Sequence, residues 1–138
     1  MKKDSTKIFV NLPVKDLKKS VEFFTKLGYK FNPQFTDQNA ACMIISKDIY
    51  AMLLVEKFFK SFIKKQIADT SKSAEVILAL TLDSRKAVDD MLKKVISTDA
   101  IITRKLSEAH DMYGFAFQDI DGHLWEMFYM DQSKIKKN

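Results

Sequence analysis

The stretch that decides the fold is "FVNLPVKDLKKSVEFFTKLGYKF", residues 9–31. Around its beginning, apolar residues alternate along positions 7–14, which predicts a strand with one apolar face formed by Ile8, Val10, Leu12 and Val14. Asp16 is a suitable N-cap for a following helix, whose apolar residues recur at helical spacing, and Gly28 is a suitable stop for it. The stretch therefore predicts a strand that leads directly into an amphipathic helix.

The same order of elements is predicted twice along the chain. After the first helix, three short strands are predicted in "YKFNPQF", "ACMIIS" and "IYAMLLV". The second half begins with a strand, "VILALTLD", and a helix, "RKAVDDMLKKVI", which Ser84 or Asp83 can cap. Three more strands are predicted in "AIITRKL", "MYGFAFQD" and "HLWEMFYM". The chain is therefore a repeat of one βαβββ unit, with a period of about seventy residues.

These elements predict an α+β fold in a single domain of 138 residues. Two such modules can pair their sheets into a curved, half-open mixed-sheet barrel with the helices outside, and the concave inner face then forms a cleft for small molecules. The predicted boundaries, all approximate, are module one at 7–57, a connecting amphipathic helix and linker at 58–74, module two at 75–130 and a polar tail at 131–138.

Composition excludes several classes of protein. With 46% hydrophobic and 30% charged residues, the chain is typical of soluble globular proteins, and no apolar run is long enough for a transmembrane helix. Its start lacks the apolar core of a signal peptide, and its single cysteine, Cys42, indicates a reducing compartment, so we expect a cytoplasmic protein without membrane contact. The net charge of +5 is spread over many lysines without a nucleic-acid-binding motif, so no nucleic-acid partner is expected.

Glu126 is the most conspicuous candidate for a functional residue. It lies in "FQDIDGHLWEMF", residues 117–128, where two apolar runs flank a turn, and strand alternation puts it on one face with Leu124 and Phe128. A carboxylate enclosed in such surroundings needs a hydrogen-bond donor, or its pKa rises. Glu126 could be a general base, an acceptor that anchors a ligand, or a remnant paired with a lysine.

Three further polar residues are candidates by position. Asn11 shares a strand face with Phe9 and could hydrogen-bond either a ligand or the neighbouring backbone. Thr81 occupies a similar place in module two. His110 lies on a connection that could overhang the cleft, although a solvated loop histidine explains it equally well.

Both ends of this repeat resemble the vicinal oxygen chelate superfamily. Its opening pattern, V-x-D-L-x-x-S followed by F-[YF]-x-x-x-L-G-[FY], is matched by Val14, Asp16, Leu17, Ser20, Phe23, Phe24, Leu27, Gly28 and Tyr29. Its closing pattern, F-x-D-P-D-G-x-x-[IW]-E, is matched by Phe117, Asp119, Asp121, Gly122, Trp125 and Glu126, with Ile120 in place of the usual proline. The resemblance extends from about Ile8 to Met130 and implies the same fold.

The resemblance also implies a place for a metal. Enzymes of this superfamily hold one divalent ion in the cleft, with ligands from the first and last strands of each module, and the ion acts as a Lewis acid on substrate oxygens. Carried over by motif and strand alignment, those places are Phe9, Leu53, Ile77 and Glu126. Only Glu126 has a donor atom, so no usual metal site is expected, and Glu126 is a metal ligand only if a site exists.

The leading expectation is a glyoxalase/dioxygenase-like protein that binds a small, partly apolar molecule without a cofactor, as bleomycin resistance proteins do. The expected ligand-binding residues are Phe9, Asn11, Leu53, Ile77, Thr81 and Glu126, and Glu126 is the candidate catalytic residue. The alternative is a metal-dependent lyase, isomerase or extradiol dioxygenase, similar to lactoylglutathione lyase, with Zn, Ni, Fe or Mn. The resemblance further implies a homodimer.

Overall fold

The structure is a computed structural model that describes residues 5–107, 112–131 and 133. The backbone divides into two compact units, Met1–Ile67 and Ala68–Asn138. Each unit corresponds to one predicted module together with part of the connecting segment. The expectation that both modules form a single domain stays a prediction.

The first unit contains a four-stranded sheet and two helices. In chain order its elements are β1 (Ile8–Val14), α1 (Leu17–Lys26), β2 (Lys30–Asn32), a short 3-10 turn (Pro33–Phe35), β3 (Ala40–Ser46), β4 (Ile49–Val55) and α2 (Glu56–Lys60). The strand order is β1-β4-β3-β2. β1 is parallel to β4, whereas the β4–β3 and β3–β2 pairs are antiparallel.

The second unit repeats this topology. Its elements are β5 (Ile77–Thr81), α3 (Arg85–Ile96), β6 (Ile101–Ser107), β7 (Met112–Gln118) and β8 (Leu124–Met130). The strand order is β5-β8-β7-β6, with β5 parallel to β8 and the other two pairs antiparallel. The predicted fold class, α+β with two βαβββ modules and open mixed sheets, is thus confirmed.

In each unit the long helix covers one face of its own sheet. α1 lies against β3 and β4, and α3 lies against β7 and β8. The core of the first unit includes Leu12, Val14, Phe23, Phe24, Leu27, Met43 and Leu53, all buried. The core of the second includes Val88, Val95, Phe115, Phe117, Trp125 and Met127, all buried. Because strand residues alternate, the residues between these core positions point to the face away from the helix.

The ends of the long helices follow the predicted signals. The carboxylate of Asp16 accepts a hydrogen bond from the Lys19 N–H at 3.2 Å, and the Ser84 hydroxyl accepts one from the Ala87 N–H at 3.0 Å. Ser84, rather than Asp83, is therefore the N-cap of α3. At the end of α1, Gly28 has φ 103° and begins a Schellman motif that stops the helix.

The connecting helix is shorter than the sequence indicates. α2 ends at Lys60, and Phe62, which belongs to the predicted apolar stripe, is 67% exposed. A short helix gains most of its stability by packing an apolar face, and here that stripe is incompletely covered, so the helix stops after five residues. Among the residues that the structure describes, no helix is long and apolar enough to span a membrane.

Candidate functional site

Glu126 lies on the face of the second sheet that points away from α3. Its neighbours Trp125 and Met127 are 1% and 0% exposed and point into the core, so alternation turns Glu126 to the other side. The strand register places Ala79 of β5 on one side of it and Ala116 of β7 on the other, with Arg104 of β6 beyond Ala116. We call this surface the Glu126 face, and its members are Ile77, Ala79, Thr81, Arg104, Ala116, Leu124, Glu126 and Phe128.

The Glu126 carboxylate forms an ion pair with Arg104. Nη2 of Arg104 lies 3.1 Å from Oε2 of Glu126, and their side chains are 52% and 28% exposed. The two residues are separated by two strand spacings, about 10 Å, which only a long side chain can bridge. The small Ala116 between them leaves room for the arginine to pass. Glu126 is therefore paired, and its partner is an arginine rather than the lysine considered from the sequence.

A β-bulge in β6 turns Arg104 towards Glu126. Ile102 pairs with Phe117 on the helix side of the sheet, yet Arg104 pairs with Ala116 on the opposite side, so the register shifts between them. In a regular strand, residues 102 and 104 would share a face. Bulges re-aim side chains in this way, and this one adds a cation to the Glu126 face. The sequence pattern alone predicts no such shift, so Arg104 was missed.

The acidic residue at the start of the closing hairpin has a structural role. Asp119 is 5% exposed, and one carboxylate oxygen accepts the backbone N–H groups of Asp121 and His123 at 2.8 and 3.0 Å. The other oxygen accepts the indole N–H of Trp125 at 2.9 Å. Burial raises the pKa of Asp119, while the charge of His123 and these donors act in the opposite direction. These bonds fix the turn that leads into β8 and thereby position Glu126.

Gly122 completes this turn and contacts the linker between the modules. It adopts φ 85°, which favours glycine, and a Cβ atom added there would overlap the hydroxyl oxygen of Thr70. The same hydroxyl donates a hydrogen bond to the Asp121 carbonyl oxygen at 2.6 Å. The DG turn is thus needed for close packing against the linker.

The candidates of module one lie on the face of the first sheet away from α1. Phe9 is 44% exposed and stacks on Tyr50, with ring centroids 4.7 Å apart and planes 11° apart. The exposed Asn11 donates from Nδ2 to the carbonyl oxygen of Phe9 at 3.1 Å. This is the bond to neighbouring backbone that the sequence left open as an alternative to ligand contact.

Leu53 does not share the face of Phe9, contrary to the sequence alignment. It is 0% exposed and pairs with Leu12, on the helix side of the first sheet. Met52 instead pairs with Asn11, as Glu126 pairs with Ala79 in the second sheet. The alignment was therefore displaced by one residue, and in a strand a displacement of one residue exchanges the two faces.

The structure brings part of the predicted ligand-binding set together. Ile77, which is 53% exposed, and the exposed Thr81 both lie on the Glu126 face. Phe9 and Asn11 belong to the other sheet, and Leu53 belongs to the core of the first unit. His110 lies outside the residues that the structure describes. The roles assigned to these residues stay predictions.

The donor atoms at the superfamily's four metal positions do not fit a metal. Phe9, Leu53 and Ile77 have no ligating side-chain atom, the corrected position Met52 offers only a thioether, and Glu126 is engaged by Arg104. Across residues 5–107, 112–131 and 133, no group of three or more His, Cys, Asp or Glu side chains is placed to hold a metal ion.

Comparison with known proteins relates this arrangement to a family. Residues 6–46 match the family described as bleomycin resistance protein-like N-terminal. No curated protein matches the sequence. Among solved structures, a hypothetical protein from S. aureus is 25% identical with a TM-score of 0.77, and the match covers 88% of this chain and 92% of that chain.

Two other solved structures are similar in fold. A glyoxalase/bleomycin resistance protein/dioxygenase family enzyme from Burkholderia phytofirmans is 12% identical, with a TM-score of 0.75 and coverage of 89% of this chain and 97% of that chain. Fosfomycin resistance protein FosX from Listeria monocytogenes, complexed with Mn(II) and sulfate, is 14% identical, with a TM-score of 0.68 and coverage of 94% and 93%. The family model matches residues 6–46, and these structures share the fold of the chain, so the chain resembles the glyoxalase/bleomycin resistance protein/dioxygenase family in its fold.

Proposed function

We propose that this protein binds a small, partly apolar molecule on the Glu126 face and does so without the superfamily's four-ligand metal site. The observation that carries the proposal is the Arg104–Glu126 ion pair, which lies at 3.1 Å on a face whose other members are uncharged. Ligand sites typically combine an apolar lining with a few polar groups that fix the orientation of the ligand. The Glu126 face has this composition.

The energetics of the pair support a role other than stability. A partly exposed ion pair contributes about 0–1 kcal/mol to folding, because side-chain ordering and desolvation offset most of its Coulomb energy. The small, exposed Ala79 beside Glu126 also leaves the β5 side of the carboxylate open, so a ligand can approach it closely. We infer that Glu126 is the main polar anchor of the ligand and that Arg104 holds it in place. If the reaction removes a proton from a bound substrate, Glu126 is the residue positioned to accept it.

The relatives support the class of ligand. The matched family is described by bleomycin resistance, and FosX from Listeria is a fosfomycin resistance protein, so both names refer to small molecules. We extend this to the present chain as a small-molecule ligand of unspecified identity. Ile77 and Thr81 then contact it from β5, since they lie two positions from Ala79 on the same face.

The test is to map binding of a small fragment library by protein-detected NMR. We expect the backbone amides of Ala79, Ala116 and Glu126 to shift on binding, and Glu126→Gln to weaken the binding of uncharged fragments about tenfold, since a charge-assisted hydrogen bond to the carboxylate is lost. Glu22→Gln is the matched control, because Glu22 is exposed on α1 in the other unit. Fragments that shift no residue of the Glu126 face, or equal affinities for wild type and Glu126→Gln, would contradict the proposal.

A second candidate function is a metal-dependent lyase, isomerase or dioxygenase, which the Mn(II) in the FosX structure favours. In that case Glu126 has to leave Arg104 and join donors that the described residues do not bring together. We therefore expect protein purified without chelator to carry less than stoichiometric Zn, Ni, Fe or Mn by elemental mass spectrometry. We also expect EDTA to leave its melting temperature unchanged. One metal ion per chain, lost together with several degrees of thermal stability on chelation, would favour the enzyme.

We also infer a cytoplasmic homodimer. The edge strand β1 exposes a large apolar residue, with Ile8 53% exposed, and a partner subunit can cover such an edge. Sedimentation equilibrium on the full chain measures the state directly, and a mass of 16.0 kDa over the whole micromolar range would contradict it.

A further inference from the structure

We propose that the ligand of the Glu126 face is uncharged and presents a hydrogen-bond donor next to an acceptor, as an amide or lactam on a flat ring does. This inference rests on the proposed function, and it names the chemical class of the ligand. Three properties of the Glu126 face support it: the balance of its charges, the hydrogen-bonding character of its two charged groups and its shape.

The first property is charge balance. The negative charge of Glu126 is matched by Arg104 at 3.1 Å, and the other members of the Glu126 face are uncharged. A ligand anion has to compete with Glu126 for the guanidinium and lie near a like charge. A ligand cation meets the same penalty at Arg104. Both also lose hydration, so the balanced pair discriminates against charge of either sign.

The second property is the hydrogen-bonding character of the Glu126 carboxylate and the Arg104 guanidinium. An ionised carboxylate only accepts hydrogen bonds, and a guanidinium only donates them. A group that contacts both therefore has to donate to Glu126 and accept from Arg104. An amide does so with an N–H and a C=O on adjacent atoms, whereas a carboxylate lacks the donor and an amidinium lacks the acceptor.

The third property is shape. On the β5 side of Glu126 the row presents only the exposed methyl group of Ala79, and on the β7 side the Arg104 side chain crosses Ala116 to reach the carboxylate. Along β8, Leu124 and Phe128 stand two residues away in each direction, about 7 Å from Glu126. The result is a shallow strip bounded by an aliphatic and an aromatic side chain. A flat ring fits this strip better than a bulky, branched group.

Three probes of one shape test the charge argument: benzamide is neutral, benzoate is an anion and benzamidinium is a cation. We expect the wild-type chain to bind benzamide about tenfold more tightly than either ion, measured by NMR titration of the Glu126-face amides. Glu126→Gln leaves Arg104 unpaired and should shift the preference to benzoate. Arg104→Gln leaves Glu126 unpaired and should shift it to benzamidinium. The double variant, with no charge, should again prefer benzamide.

The outcomes separate the two proposals. Wild-type protein that binds benzoate or benzamidinium best on the Glu126 face overturns the uncharged class but leaves small-molecule binding standing. If none of the three probes shifts this face at millimolar concentration, and the fragment library does not either, the proposed function fails as well. The ranking of three probes on wild-type protein decides the question even if a variant fails to fold, and Glu22→Gln should keep the wild-type ranking.

Discussion

At the scale of single residues, Asp119 and Glu126 of the closing hairpin have different tasks. Asp119 is buried and accepts two backbone N–H groups of its turn and the indole N–H of Trp125 in β8, whereas Glu126 lies on the face away from α3 and pairs with an arginine of β6. One therefore maintains the backbone, and the other is the residue that we propose as the anchor of a ligand. The closing hairpin thus combines a structural acid with the acid that we propose as a ligand anchor.

Replacing Asp119 by asparagine tests the structural role. The side-chain amide keeps one acceptor oxygen but turns an NH₂ group towards either the backbone N–H groups or the Trp125 indole N–H, so two donors face each other in a buried place. We expect a loss of about 1–3 kcal/mol in the free energy of unfolding, measured by urea titration. Asp99→Asn, at an exposed position after α3, is the control and should change the stability by less than about 0.5 kcal/mol. Equal stabilities of the two variants would contradict the role of Asp119.

At the scale of elements, local patterns predicted nearly every helix and strand. Alternating apolar residues predicted the strands, and the N-cap residues Asp16 and Ser84 predicted where the long helices begin. Both signals depend on residues that are close in sequence. Two elements were not predicted correctly. The length of α2 depends on what covers Phe62, and the bulge in β6 depends on its pairing with β7, so neither is encoded in a local pattern.

The end of α1 yields a prediction about alkaline pH. Tyr29 follows Gly28 in the Schellman motif, with its ring 6.4 Å from that of Phe24, and burial raises the pKa of Tyr29 to about 12 from 10.0. Between these values the unfolded chain loses the phenol proton and the folded chain keeps it. The stabilisation is therefore complete below about pH 10 and is lost as the pH rises towards 12.

Urea unfolding of wild type and Tyr29→Phe from pH 9 to 12 measures this effect. The difference in free energy between the two proteins should change by about 2–3 kcal/mol in favour of the variant, since two pKa units correspond to that energy. Titration of lysines affects both proteins equally and cancels in the difference. Parallel curves over the whole range would mean that the Tyr29 phenol titrates at the same pH in the folded and the unfolded chain, which would contradict the prediction.

At the scale of the whole molecule, the duplication defines which residues are equivalent. In both sheets the first strand is parallel to the last, and the registers match Met52 with Glu126 and Asn11 with Ala79. The sequence correctly predicted the repeat and the strand face on which Glu126 lies, but it aligned Leu53, rather than Met52, with Glu126. The two hairpins that precede these strands differ in length, and a single residue is enough to exchange the faces. Arg104 was missed because its contact depends on strand pairing.

The equivalence can be tested by introducing a second glutamate into module one. Met52→Glu places a carboxylate where Glu126 stands in module two, on a half-buried position, and should cost less than about 2 kcal/mol. Leu53→Glu buries an unpaired charge at a residue that is 0% exposed, and should cost about 4 kcal/mol or more. Met52→Gln and Leu53→Gln separate the effect of charge from that of shape. Thermal and urea unfolding measure which of the two glutamate variants is the more stable. If Leu53→Glu is the more stable one, the register of β4 is wrong, and Met52 is not equivalent to Glu126.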